Sequence, residues 1–226
     1  MNHEPTAEFV RHEPCPACPS SDAYAIYADG GGYCFSCGHY ENGRGEQTSN
    51  PQTPRVSYAG DFSRINSRNL NEDTCRKFNV RVDNPGPVIR FPFYSSSGKV
   101  VAYKERTKAK AFSWTGKNED HQLFGQQLWG GGKTIVITEG EIDALSVFQA
   151  RPQWPVVSIP NGAHAACKSV SAQLPYLMGF DEVVIMFDND EPGIEAAEEC
   201  IQLFPPGKAF LASLGEYKDA SEALMD

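Results

Sequence analysis

Past residue 132, short aliphatic runs alternate with helical patterns, and two of those runs end abruptly in carboxylates. Ile135-Val136-Ile137 leads into Thr138-Glu139-Gly140-Glu141-Ile142-Asp143, and Val183-Val184-Ile185-Met186 leads into Phe187-Asp188-Asn189-Asp190. A chain that puts charge at the ends of buried strands has few folds open to it. Short apolar strands at 134–138, 156–159 and 183–187, with helical patterns at 142–150, after Gly162 and at 193–203 and a last run at 209–214, predict an α/β fold. Its parallel sheet would be flanked by helices and would bind ligands outside the carboxyl ends of its strands.

Carboxylates gathered at the open end of such a sheet repel one another unless positive charge sits between them, and desolvation adds to the cost. Hard divalent cations are the usual remedy. Magnesium keeps several waters and takes one or two carboxylates plus substrate phosphates, so sparse acidic clusters beside a cleft predict magnesium and phosphoryl transfer, not a closed calcium cage. The competing reading, two solvated acidic loops, is weakened because both clusters close an aliphatic strand and open a helix.

A second pattern lies near the start. Cys15-Pro16-Ala17-Cys18 is followed after fifteen residues by Cys34-Phe35-Ser36-Cys37, the spacing of two zinc-ribbon knuckles. Four thiolates satisfy a tetrahedral zinc, and 24–27 and 33–35 read as strands around Asp29-Gly30-Gly31-Gly32. His39 falls just outside that ligand set. The expected organisation is a zinc-binding β-module over 1–42 and a Gly/Ser/Pro-rich tether over 43–60. A mixed α+β subdomain with a helix at 71–78 and a hairpin follows over 61–130, then the parallel-sheet core over 131–226. Cys75, Cys167 and Cys200 sit singly and read as small buried apolar residues.

The net charge of −9 hides a strong asymmetry: 13 basic and 7 acidic residues over 51–130, against 2 and 7 before and 5 and 15 after. A basic block between acidic flanks fits a phosphate-bearing partner, with part of the later acidity neutralised by bound cations. No apolar stretch approaches the roughly 20 residues that span a bilayer, and residues 1–11 lack the order of a secretion signal, which predicts a soluble cytosolic chain with no membrane partner.

Glu139-Gly140-Glu141-Ile142-Asp143, Phe187-Asp188-Asn189-Asp190 with Gly193, and Lys218-Asp219-Ala220 together resemble the Toprim signature of bacterial-type primases, topoisomerases and some nucleases. With a four-cysteine ribbon, a tether and the basic string Lys104-Glu105-Arg106-Thr107-Lys108-Ala109-Lys110 ahead of it, nearly the whole chain is similar to the primase half of the bifunctional primase-helicases of short-tailed coliphages. The resemblance implies synthesis of short RNA primers on single-stranded DNA from ribonucleoside triphosphates, in the cytoplasm of an infected bacterium. Glu139 stands where the family has the carboxylate acting as general base or orienting the 3′-hydroxyl, and also belongs to the acidic set around the metals. Asp188 and Asp190 stand at magnesium-ligand positions, Asp143 and Asp219 at further acidic positions near them, and Lys104 and Lys110 at lysines that meet nucleotide phosphates.

The family's ribbon reads the template, which implies Asp29, Tyr33 and Phe35 as candidate base contacts here. Gly31 replaces a family histidine and predicts a different or relaxed trinucleotide preference. A replicative helicase, fused or separate, and a replication DNA polymerase that takes over the primer are the implied protein partners; the chain holds no Walker-type phosphate loop of its own. Trp114, between Lys110 and Lys117, is the tryptophan best placed to stack on a base. Two other readings share the acidic cluster: a DNA-clamping recombination mediator and a Toprim nuclease.

Overall fold

The computed structural model describes residues 8–226 apart from 19, 35–38, 42–59, 84–87, 110 and 117–121. The chain divides into two compact units, residues 1–55 and 56–226.

The first unit is an antiparallel sheet of β1 (Phe9–Glu13), β2 (Tyr24–Tyr27), β3 (Gly32–Cys34) and β4 (Tyr40–Glu41), paired in sequence order. β1 was not foreseen from the sequence, and its almost wholly exposed side chains explain why: with no buried face there is no apolar alternation to read. Its pairing to β2 is a backbone matter. Gly32 is required where it stands, since a Cβ there would lie 2.2 Å from the hydroxyl of Tyr24 on the neighbouring strand.

The second unit opens with α1 (Glu72–Lys77), whose N-terminal amide at Thr74 is capped by Asn71. An antiparallel sheet follows, formed by β5 (Arg81–Val82), β6 (Ile89–Tyr94), β7 (Val100–Arg106) and β8 (Phe112–Gly116) in sequence order. The expected hairpin is thus the β6–β7 pair inside a larger sheet. The expected α/β alternation then appears: β9 (Gly132–Thr138), α2 (Glu141–Ala150), β10 (Val156–Ser158), α3 (Ala166–Ala172), α4 (Leu174–Leu177), β11 (Phe180–Met186), α5 (Glu191–Ile201), β12 (Ala209–Leu211) and α6 (Ala220–Met225). These strands make a parallel sheet in the order β10-β9-β11-β12. The strand order reverses between β9 and β11, the position at which open α/β sheets gather their ligands.

Alternate residues of the central strands face two cores. Ile135, Ile137, Val183 and Ile185 point into one, with Val170, Leu177 and Cys200 from the helices. Val136 and Val156 point into the other, which also holds Phe78, Phe91, Phe93 and Phe124. Phe124 lies 5.5 to 5.9 Å from the rings of Phe78, Phe91 and Phe93, so the antiparallel sheet and the parallel sheet share this second core. Among the described residues no helix is long and apolar enough to cross a membrane.

Candidate active site

β9 and β11 are neighbours, and their last paired rung joins Thr138 to Met186. The chain therefore leaves the sheet at the same level on both strands, and Glu139 and Asp188 emerge side by side. Gly193 lets α5 close over this turn, since a Cβ there would meet the carbonyl oxygen of Asp188 at 2.3 Å. Asp190 caps α5 by accepting from the Gly193 amide at 3.1 Å, and its other oxygen takes the Lys218 ammonium at 2.9 Å. Asn189 holds the loop that carries Lys218: its side-chain amide donates to the carbonyls of Gly215 and Tyr217, at 3.1 and 3.3 Å. Asp219 then caps α6 by accepting from Glu222 at 2.7 Å.

Glu139, Asp143 and Asp188 line a cleft of about 410 Å³ whose opposite side is built by Lys104, Arg106 and Phe112 of the antiparallel sheet. Burial pushes Glu139 above the usual carboxylate range, with Asp190 adding to it, and one of its oxygens accepts from the Ala163 amide at 3.3 Å. The other, Oε2, is buried without a hydrogen-bond partner among the described residues. An orphaned buried acceptor of this kind costs about 1–3 kcal/mol. Asp188 is pushed up to about 6 by burial and by the charges of Glu139, Asp219 and Asp190. Asp143 is pushed up to about 7, again by burial first, then by Asp219 and Asp188, although the Ser221 amide donates to it at 3.0 Å. Only Asp190 is lowered, by its bond to Lys218. Mutually repelling carboxylates with an unpartnered oxygen have the chemistry that attracts a divalent cation, although no three of them bring oxygens within 4.8 Å of one another in this structure.

The basic side of the cleft is arranged differently. Lys104 donates to Glu141 Oε1 and to the Pro160 carbonyl, both at 2.8 Å, and the two charged side chains are 12% and 5% exposed. Its ammonium is committed to the protein. Arg106 lines the same cleft, and burial lowers its pKa. Trp114 is half-buried with its ring 4.8 Å from Phe93, as part of the packing, whereas Phe112 two residues earlier is 54% exposed. Glu141, Arg106, Phe112 and Asn189 were not singled out from the sequence. Glu141 and Asn189 lie inside the acidic motifs and Arg106 inside the basic string 104–110, so their position was the available signal; Phe112 carried none.

In the other unit, the sulfurs of Cys15, Cys18 and Cys34 lie within 4.8 Å of one another, the one such group of three His, Cys, Asp or Glu side chains among the described residues. This trio could hold a metal ion. The Ala17 amide donates to the Cys15 sulfur at 3.3 Å, a bond that stabilises a thiolate. His39 stands outside the trio, its ring nitrogen 3.0 Å from Glu41. Asp29 sits in the β2–β3 turn and accepts from the Gly31 amide at 2.9 Å, while Tyr33 projects from the outer face of β3. Cys37, Phe35 and Lys110 lie outside the described residues.

A Toprim-like family model matches residues 136–224. A crystal structure of the primase fragment of the bacteriophage T7 primase-helicase matches with a TM-score of 0.69 and 34% identity, covering 96% of this chain and 95% of that one. The chain belongs to this primase-helicase family, on its primase side. A DNA helicase/primase of Enterobacteria phage T3 is 36% identical over 98% of the chain, which spans 42% of that relative's length. A second family structure, with a TM-score of 0.68 and 38% identity over 74% of this chain and 86% of that one, shows bacteriophage T7 lagging-strand DNA polymerase interacting with primase domains bound to an RNA/DNA hybrid and dTTP. β9, β11 and the acidic turns that follow them lie inside the Toprim-like match, and the cysteine trio lies in the N-terminal ribbon module ahead of it.

Proposed function

We propose that this chain is a DNA primase, a nucleotidyltransferase that makes short RNA primers on single-stranded DNA from ribonucleoside triphosphates. The observation that carries the reading is the pairing, in one cleft, of a half-buried Glu139, one of whose oxygens is buried and unpartnered among the described residues, with Asp188 just after the neighbouring strand and with cationic side chains in the same lining. In-line phosphoryl transfer needs a base or orienting group at the attacking hydroxyl and positive charge on the phosphates. Glu139 takes the first role: burial raises its basicity, and the Ala163 amide fixes its carboxylate. Arg106 faces the developing charge on the phosphates. Lys104 acts mainly by holding Glu141 and the Pro160 turn at the cleft, and Lys110 contributes a second cation by family resemblance.

Asp188, Asp190, Asp219 and Asp143, with Glu139, are the residues that would hold magnesium, which when bound supplies the charge that lets these carboxylates ionise together and polarises the phosphates. Cys15, Cys18 and Cys34, with Cys37, would hold zinc. The four-part organisation, 1–42, 43–60, 61–130 and 131–226, carries this division of labour: a template reader on a tether, then a basic subdomain and the Toprim core. Asp29, Tyr33 and Phe35 are the proposed base contacts, with a relaxed or altered trinucleotide where Gly31 leaves the turn without a side chain. A replicative helicase and the replication polymerase are the proposed partners, and the host cytoplasm the proposed compartment.

The test is to incubate the protein with a library of single-stranded templates, magnesium and labelled ribonucleotides. Di- to tetranucleotides dependent on template sequence are expected; DNA cleavage in place of synthesis would favour a nuclease, and DNA binding alone a recombination mediator. Removing zinc, or changing Cys34→Ser, should abolish template-dependent initiation first, because metal binding supplies the folding energy of so small a module. Magnesium binding to the acidic cleft, followed by calorimetry, should survive it.

A further inference from the structure

We infer that Phe112 is the platform on which the base of a ribonucleoside triphosphate stacks at the cleft, an assignment that rests on the primase reading and names a nucleotide-positioning residue for it. Phe112 begins β8, directly across the ladder from Arg106, and it lines the same cleft as Glu139 and Asp188. Phe112 is 54% exposed, whereas Phe91, Phe93 and Tyr103 of the same sheet are buried and Tyr94 and Trp114 are partly buried. Leaving an apolar ring in water at the mouth of a charged cleft forfeits the free energy that burial would return.

Two cations flank the ring. The Lys104 ammonium lies 5.0 Å from its centroid and the Arg106 guanidinium 5.6 Å, and more than half of the side chain stays open after both contacts. A flat apolar face beside fixed positive charge matches a ligand that joins an aromatic base to an anionic chain. The cleft of about 410 Å³ is of the size that encloses a small ligand of this kind. Stacking tolerates all four bases because each has a π-face, which suits an enzyme that must accept whichever nucleotide the template dictates. Trp114 lines the same cleft, but its ring is partly covered by Phe93 at 4.8 Å, which leaves Phe112 the more exposed of the two. Arg106 supplies the complementary contact, because its guanidinium enters the cleft with no salt-bridge partner among the described residues while Arg90, in the same sheet, is held by Asp83 and Glu105.

The experiment measures direct binding, so that it does not depend on synthesis. Wild type, Phe112→Ala, Phe112→Leu and Phe112→Trp are titrated with magnesium and either ATP, the base-free analogue ribose 5-triphosphate, or a short single-stranded DNA. Expected is a roughly tenfold weaker ATP affinity for Phe112→Ala and Phe112→Leu, unchanged affinity for ribose 5-triphosphate, and recovery in Phe112→Trp. In dinucleotide synthesis the same two variants should raise KM more than they lower kcat. Equal losses for ATP and ribose 5-triphosphate would overturn the stacking role in favour of a general effect on the cations. Loss of DNA affinity with ATP affinity intact would overturn it in favour of a template contact, and Phe112→Leu binding like wild type would reduce the ring to apolar bulk. If the base-specific loss appears in a protein that makes no primer, the nucleotide site stands and the primase reading falls.

Discussion

Glu139 and Glu141 are two residues apart in one motif and meet opposite fates. Glu141 is nearly fully buried and paired to Lys104, whereas Glu139 keeps a buried oxygen without a hydrogen-bond partner among the described residues. The first belongs to the wall of the cleft that holds it in shape: the Lys104 ammonium ties β7 to the start of α2 and to the turn at Pro160. The second belongs to the wall that carries unrelieved charge, together with Asp188 and Asp143. Identical side chains in one short loop thus separate into framework and chemistry according to whether the protein itself supplies the counter-charge. Burial alone does not distinguish them, because both are raised by it.

The sharpest way to break this contrast is to neutralise each glutamate in turn. Glu139→Gln should lower dinucleotide synthesis roughly 10²–10⁴-fold, the range for loss of a general base, with DNA binding and unfolding stability close to wild type. Synthesis at wild-type rate would remove Glu139 from the chemistry. Lys104→Met should act first on stability, by about 3–5 kcal/mol in urea unfolding, because it strands a buried carboxylate. The double variant Lys104→Met/Glu141→Leu should recover most of that loss; if it does not, Lys104 has work beyond holding Glu141. A smaller effect is expected from pH. Asp188 at about 6 and Asp143 at about 7 stand above their ordinary value of 3.8, so the folded chain retains protons that the unfolded chain has released across that window. Stability then falls as pH rises from about 4 to about 7. In metal-free buffer Tm should be higher at pH 5 than at pH 8, and magnesium should restore it at pH 8. A profile that magnesium leaves unaltered would mean that this wall needs no cation.

The acidic wall was legible in the sequence because strand, carboxylate and helix follow one another within a few residues, and the α/β alternation was legible for the same reason. The framework wall was not. Lys104 and Glu141 are separated by 37 positions, and a string of lysines and arginines does not say which one the fold turns inward. Phe112 and Trp114 show a related gap: both occupy β8 two residues apart and line the cleft, and the contact with Phe93 leaves the tryptophan only partly exposed while the phenylalanine stays open. β1 left no trace because a strand with no buried face has no hydrophobic period.

The common rung between Thr138 and Met186 also makes the sheet a ruler. Each residue advances a strand by about 3.3 Å and turns the next side chain to the opposite face. Removing a single residue from β9 would therefore carry Glu139 to the place of Thr138, on the face of Val136, and removing one from β11 would carry Asp188 to the place of Phe187, in the core of Ile135, Ile137, Val183 and Ile185. Point substitutions at the apolar positions of these strands can be absorbed by repacking, but a change of length by one cannot, and two compensating deletions, one on each strand, would be needed to restore the original offset between the carboxylates.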